Sequence, residues 1–167
     1  MWLLITTGFA VSQISVTQNA NAQTLAQLLS GAGVTISNYT VTGASAACGT
    51  FANVSSNLGL AQGVILSTGM VTDIPQPASN FASTAFTNAG DPQLSTLTTG
   101  TIYDVAILEF DITPQGSTLQ FNYVFASEEY PQFVCSPYND VFGFFITGPN
   151  PAGGSYNSNN LAVLPIS

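Results

Sequence analysis

The chain of 167 residues contains no lysine, no arginine and no histidine, so its eight carboxylates give a formal charge of −8 with no internal counter-charge. No side-chain salt bridge can form. Nucleic-acid binding draws its affinity from Lys and Arg neutralising phosphates, so that class of partner is excluded. Without imidazole there is no ordinary base for a Ser or Cys nucleophile, and without Lys there is no Schiff base and no phosphate-binding lysine. Cysteine is scarce too, with only Cys48 and Cys135. Two thiols far apart in sequence match no close-spaced zinc or redox motif. Charged residues make up only 5% of the chain, which leaves solubility to Ser, Thr, Asn and Gln, as suits an extracellular surface. No apolar run reaches membrane-spanning length.

What is present is 46% hydrophobic residues in a chain of single-domain length. A compact protein of this mass exposes about 7,800 Å² and buries about two thirds of its unfolded surface. The first residues, Trp2 to Val11, form a short apolar run followed by polar residues. They read as the remnant of a secretory signal over residues 1–12, with Ala10-Val11-Ser12 as a small-x-small cleavage site and Ala20-Asn21-Ala22 as a second. The alternative is a buried first strand. In an oxidising compartment Cys48 and Cys135 are expected to pair, closing a loop long enough to add about 4 kcal/mol in the chain-entropy model. Two separate buried thiols are the alternative.

One helix is expected over Ala22 to Leu29, where Leu25, Leu28 and Leu29 share a face and Gly31 supplies a stop. The rest has strand grammar. Val34–Ser37 and Tyr39–Thr42 read as strands separated by Asn38, and Gly63–Gly69 as an apolar strand fenced by glycines. Pro75 to Thr101 lacks a sustained period and predicts a long irregular excursion. Ile102–Ile112 alternates, with Leu108, Phe110 and Ile112 inward and Glu109 and Asp111 outward. Thr118–Phe125 alternates again, and the two are expected to form a hairpin about Pro114-Gln115-Gly116. Val141–Ile146 is apolar on both faces and predicts a central strand, Gly148–Asn160 a loop, and Leu161–Leu164 a final strand. The fold class expected is all-β, an antiparallel jelly-roll-like β-sandwich with one short N-terminal helix.

The densest polar feature is Ser127-Glu128-Glu129-Tyr130 at the end of one apolar segment, with Asn139-Asp140 at the start of the next. Antiparallel pairing would bring these ends together. Carboxylates gathered without a cation repel one another, and exposure, protonation or a bound cation relieves the cost. Glu128, Glu129 and Asp140, with Asp91 from the long loop and Asp104 just beyond its far side, are therefore the candidate ligands of a calcium ion. Their spacing does not follow the EF-hand pattern, and the competing reading is a solvated strand end. Paired carboxylates also permit glycoside hydrolysis, but Glu128 and Glu129 point to opposite faces of a strand, so the pair would need Asp140 or Asp91. Most Phe residues sit at inward positions and pack. Tyr130 and Tyr138 lie near loops and are candidates for ligand contact. Asn38-Tyr-Thr40 and Asn53-Val-Ser55 match the glycosylation sequon.

Gly63–Gly69, Gly90-Asp-Pro-Gln-Leu94, Tyr103–Asp111, Phe121–Pro131 and Asn139–Ile146 together resemble the choice-of-anchor L domain, a bacterial secreted or surface module. The resemblance runs from about Ile14 onward and implies one domain over residues 13–167 that continues past Leu164, where an anchoring segment would follow. It implies a secreted or cell-surface location and carries no catalytic activity. The expected role is an exported, non-enzymatic module for adhesion or ligand display, with an extracellular glycan, protein or surface as partner and calcium as the only cofactor. Self-assembly into an extracellular filament is the structural alternative.

Overall fold

The computed structural model describes residues 14–53, 56–75, 84–87, 90–127, 133–136 and 140–163. The expected leader, residues 1–12, lies outside them. Strand β1 (Ile14–Gln18) leads to Asn21, whose side-chain oxygen accepts a hydrogen bond from the Thr24 N–H at 2.9 Å and caps helix α1 (Ala22–Leu28). Capping satisfies one of the otherwise free N–H groups of the first turn. The helix matches its expected position, and it buries Leu25 and Ala26 completely.

Two further strands complete the first sheet. β3 (Cys48–Asn53) lies between β1 and β4 (Gln62–Leu66), antiparallel to both. Gly63 stands opposite Phe51 across the β3–β4 pair, and the Phe51 ring occupies the space a side chain would need, 2.7 Å from where a Cβ would lie. That close approach is why the ring can be buried in a sheet of only three strands.

The second sheet is β2 (Val34–Thr42) paired antiparallel with β5 (Ile107–Pro114). The two short strands expected around Asn38 are one strand with a bulge: Asn38 has φ 51° and the register shifts between Ser37 and Thr40. Asn tolerates this left-handed conformation better than most residues. Its amide also donates to Asp111 Oδ2 at 2.6 Å, while Thr40 Oγ1 donates to Glu109 Oε2 at 3.3 Å. The outward acids of β5 thus find polar partners from β2, and the alternation read for 107–112 holds, whereas 102–106, expected in the same strand, are not strand.

The core sits where these parts meet. Leu25, Ala47 and Cys48 are fully buried together, and Val41, Val64, Ala106 and Leu108 pack against them, bringing residues from α1 and both sheets into one cluster. A third sheet, β6 (Phe145–Pro149) with β7 (Ser155–Asn160), stands separately. Architecture is therefore mostly antiparallel β with one helix, in sheets that are not closed on one another.

Several expectations are corrected. The hairpin of 102–112 with 118–125 does not form, because β5 pairs with the distant β2 and 118–125 enters no ladder. Val141–Ile146 is not a central strand: only Phe145 and Ile146 are extended within β6, whose one ladder is with β7. Residues 155–160, expected as loop, are β7, and 161–163 are not strand. Cys48 and Cys135 are both free thiols, the first buried in the core and the second exposed, so the expected disulfide is not made. Burial in the cluster around Leu25 keeps the first thiol from a partner on the surface.

Candidate functional site

Residues 121–127 and 140–144 run beside each other in opposite directions. The steps are visible in the rings: Phe121 meets Phe144 edge-to-face at 4.9 Å, and Tyr123 meets Phe142 at 5.3 Å. Each step moves two residues up one segment and two down the other, which is the signature of extended antiparallel neighbours. Phe125 also stacks on Phe142, at 6.0 Å. At the end of the row the Ser127 hydroxyl donates to Asp140 Oδ2 at 2.8 Å. The proximity expected of these two segment ends is therefore present.

This rim is open to solvent. Tyr123 and Phe125 are about half exposed, at 51% and 52%, and Phe142 is 39% exposed. A contiguous row of exposed rings ending in a carboxylate can stack on a ring or a sugar face and accept hydrogen bonds beside it. Glu128, Glu129, Tyr130 and Tyr138, the other candidates at this end, lie outside the described residues.

Asp91 and Asp104 have defined local duties. Asp91 Oδ1 accepts from the Leu94 N–H at 2.8 Å, and its carbonyl accepts from both the N–H and the hydroxyl of Ser95. These bonds start the 3-10 turn over Leu94–Thr96. Asp104, at φ 55°, accepts from the Phe86 N–H at 2.9 Å and so holds Phe86, which packs against the core cluster. The turn after Asp91 reaches the third sheet: a Cβ on Gly143 would lie 3.3 Å from Leu94 Cδ2, and Gln93 Nε2 donates to Ser158 Oγ. The loop of Asp91 is thereby laid beside the segment that begins at Asp140. Among the described residues no three His, Cys, Asp or Glu side chains are grouped closely enough to hold a metal ion. With no basic side chain in the chain, Asp91 and Asp104 are met by N–H groups, Glu109 and Asp140 by hydroxyls and Asp111 by an amide.

A second feature escaped the sequence reading. Ser15, Thr17, Thr50 and Gln62 of the first sheet, with Thr24 and Gln27 of α1, line a groove of about 560 Å³. It holds hydroxyls and amides but no titratable group, so it can hydrogen-bond a ligand but supplies no acid or base. The available signal was the alternation Ile14-Ser-Val-Thr, which places Ser15 and Thr17 on one face. Burial raises the Cys48 thiol above its ordinary range, keeping it protonated and unreactive. No helix among the described residues is long and apolar enough to cross a membrane.

A family model described as the choice-of-anchor L domain matches residues 11–167. No curated protein and no solved structure gives a significant match to the chain.

Proposed function

The chain belongs to the choice-of-anchor L domain family, and from that premise we propose that it is an exported, non-enzymatic module that presents a ligand-binding rim at a cell surface. Membership of the family supports a surface-associated role. The observation that carries the binding role is the exposed ring row Tyr123, Phe125 and Phe142 ending at the Ser127–Asp140 hydrogen bond. An apolar row with a polar terminus fixes both affinity and orientation of a ligand. The fold proposed to carry it is a β-sandwich of jelly-roll type, a reading supported by two antiparallel sheets that share the core around Leu25 and Cys48.

Calcium belongs to the same proposal, with Asp140, Glu128 and Glu129 as its carboxylates; what supports it is acids of one sign in a chain with no cation. Two measurements test the reading. Purified chain is immobilised and probed with a panel of oligosaccharides and extracellular-matrix proteins, beside a Tyr123→Ala/Phe142→Ala variant. Binding that falls at least about tenfold in the variant supports the rim, and binding that is absent or unchanged removes it. Calcium should raise the melting temperature saturably; a melting curve that stays in place at millimolar calcium removes the metal.

A further inference from the structure

Segment 118–126 has the residue pattern of a strand and runs extended beside 140–144, yet it belongs to no ladder. Among the described residues no backbone hydrogen bond joins it to another strand. Residues 122 to 126 are all exposed, including Val124 at 53% and Phe125 at 52%. A row of unpaired N–H and C=O groups on a β-prone segment is a template for strand addition. We propose that this edge pairs antiparallel with the same segment of a second copy of the chain, about a two-fold axis at Tyr123.

Two properties of the segment select a second copy as occupant. The first is charge. Thr118-Leu-Gln-Phe-Asn-Tyr-Val-Phe-Ala126 contains none of the eight carboxylates, nor any Pro or Gly. In a molecule of formal charge −8, it is a neutral stretch that two copies can bring together with no acid opposite another. The second is symmetry. With Tyr123 opposite its own copy, Phe121 stands opposite Phe125, so the ring face is continuous across the axis and each aromatic gains an aromatic cross-strand neighbour. Asn122 then stands opposite Val124 on the other face. The pairing uses the backbone edge turned away from 140–144 and leaves the ring faces open, so it joins two rims into one surface. It rests on the same segment as the proposed binding role but not on that role.

The test uses the full chain in a Cys135→Ser background, since the exposed Cys135 thiol could link copies by itself. Sedimentation velocity across a concentration series should show a monomer–dimer equilibrium. It should tighten several-fold when salt rises from about 10 mM to about 150 mM, because screening weakens the repulsion between two anionic bodies. Asn122→Pro removes an edge donor that makes no bond within the monomer. It should weaken the dimer at least about tenfold while leaving the melting curve of the dilute monomer in place. Tyr123→Cys should crosslink to itself under mild oxidation, and Thr118→Cys, far from its own copy in this register, should not. A chain that stays monomeric throughout, or crosslinks equally at both positions, overturns the proposal. Ligand binding by a monomeric chain would leave the rim reading standing alone.

Discussion

Gly43 follows β2 at the point where the chain passes residues 105–106, and it has φ 121°. A Cβ there would collide with the Val105 carbonyl oxygen and stand 3.2 Å from Ala106 Cα and 3.3 Å from the Val105 carbonyl carbon. These are backbone atoms, and Val105 is buried while Ala106 packs on the core. Neither can swing aside as a side-chain end would. Gly43→Ala therefore combines two costs: about 1–2 kcal/mol for a side chain at positive φ, and about 1–3 kcal/mol for forcing packed structure apart. Gly33 separates them, since it has φ 77° with nothing within 4 Å of its Cβ position. Gly33→Ala should lose only the first. At about 2–4 °C per kcal/mol for a chain of this size, Gly43→Ala should melt about 4–20 °C below the parent and Gly33→Ala about 2–8 °C below it. Differential scanning calorimetry on the three proteins reads both values. Equal losses in the two variants, or a Gly43→Ala transition within about 2 °C of the parent, would refute the reasoning.

Leu25→Ala should cost about 3 kcal/mol in urea unfolding, because Leu25 is fully buried at the junction of α1 and both sheets; a loss below about 1 kcal/mol would mean that the junction is not the core. Asn21→Ala removes the cap on Thr24 and should cost about 1 kcal/mol, with Asn21→Gly losing only a few tenths. A thiol reagent should titrate Cys135 at once in the native chain and Cys48 only after unfolding; prompt reaction of both would contradict the buried position. Burial raises the folded Cys48 thiol, so the unfolded chain loses that proton first. This contribution is level below the unfolded value of about 8.5 and declines as pH rises from there toward the folded value. A pH series of unfolding free energies should slope downward on that side, and less steeply in Cys48→Ala.

Local elements were legible where one short stretch contains the whole cause. The Leu25, Leu28, Leu29 stripe with Gly31 behind it fixes α1, and the alternation through Leu108 to Ile112 fixes β5. Partnership was not legible, because alternation gives a face but no address. Thr118–Phe125 follows β5 closely and alternates as well as β2 does, yet the ladder goes to β2. β7 was hidden for another reason. Ser155-Tyr-Asn-Ser-Asn-Asn160 is a polar sequence of loop character, made a strand by its pairing with β6, by Asn160 Oδ1 accepting from Phe144 N–H at 2.9 Å and by Ser158 N–H donating to Thr147 Oγ1 at 3.0 Å. At the site, apolar runs ending in Ser127 and starting near Asp140 were enough to anticipate their meeting. The duties of Asp91 and Asp104 depend on the turn at Leu94 and on the approach of Phe86, which no residue pattern announces.

The β2–β5 ladder also sets a timetable for synthesis. Its nearest partners, Thr42 and Ile107, and its farthest, Val34 and Pro114, are separated by β3, β4 and the whole of the long loop. Translation at about 5–20 residues per second puts several seconds between the emergence of one strand and the other. During that interval β1, β3 and β4 can already assemble, whereas β2 waits with an exposed edge. The nascent polypeptide is thus most open to capture by a chaperone or an export factor just before residue 107 leaves the ribosome.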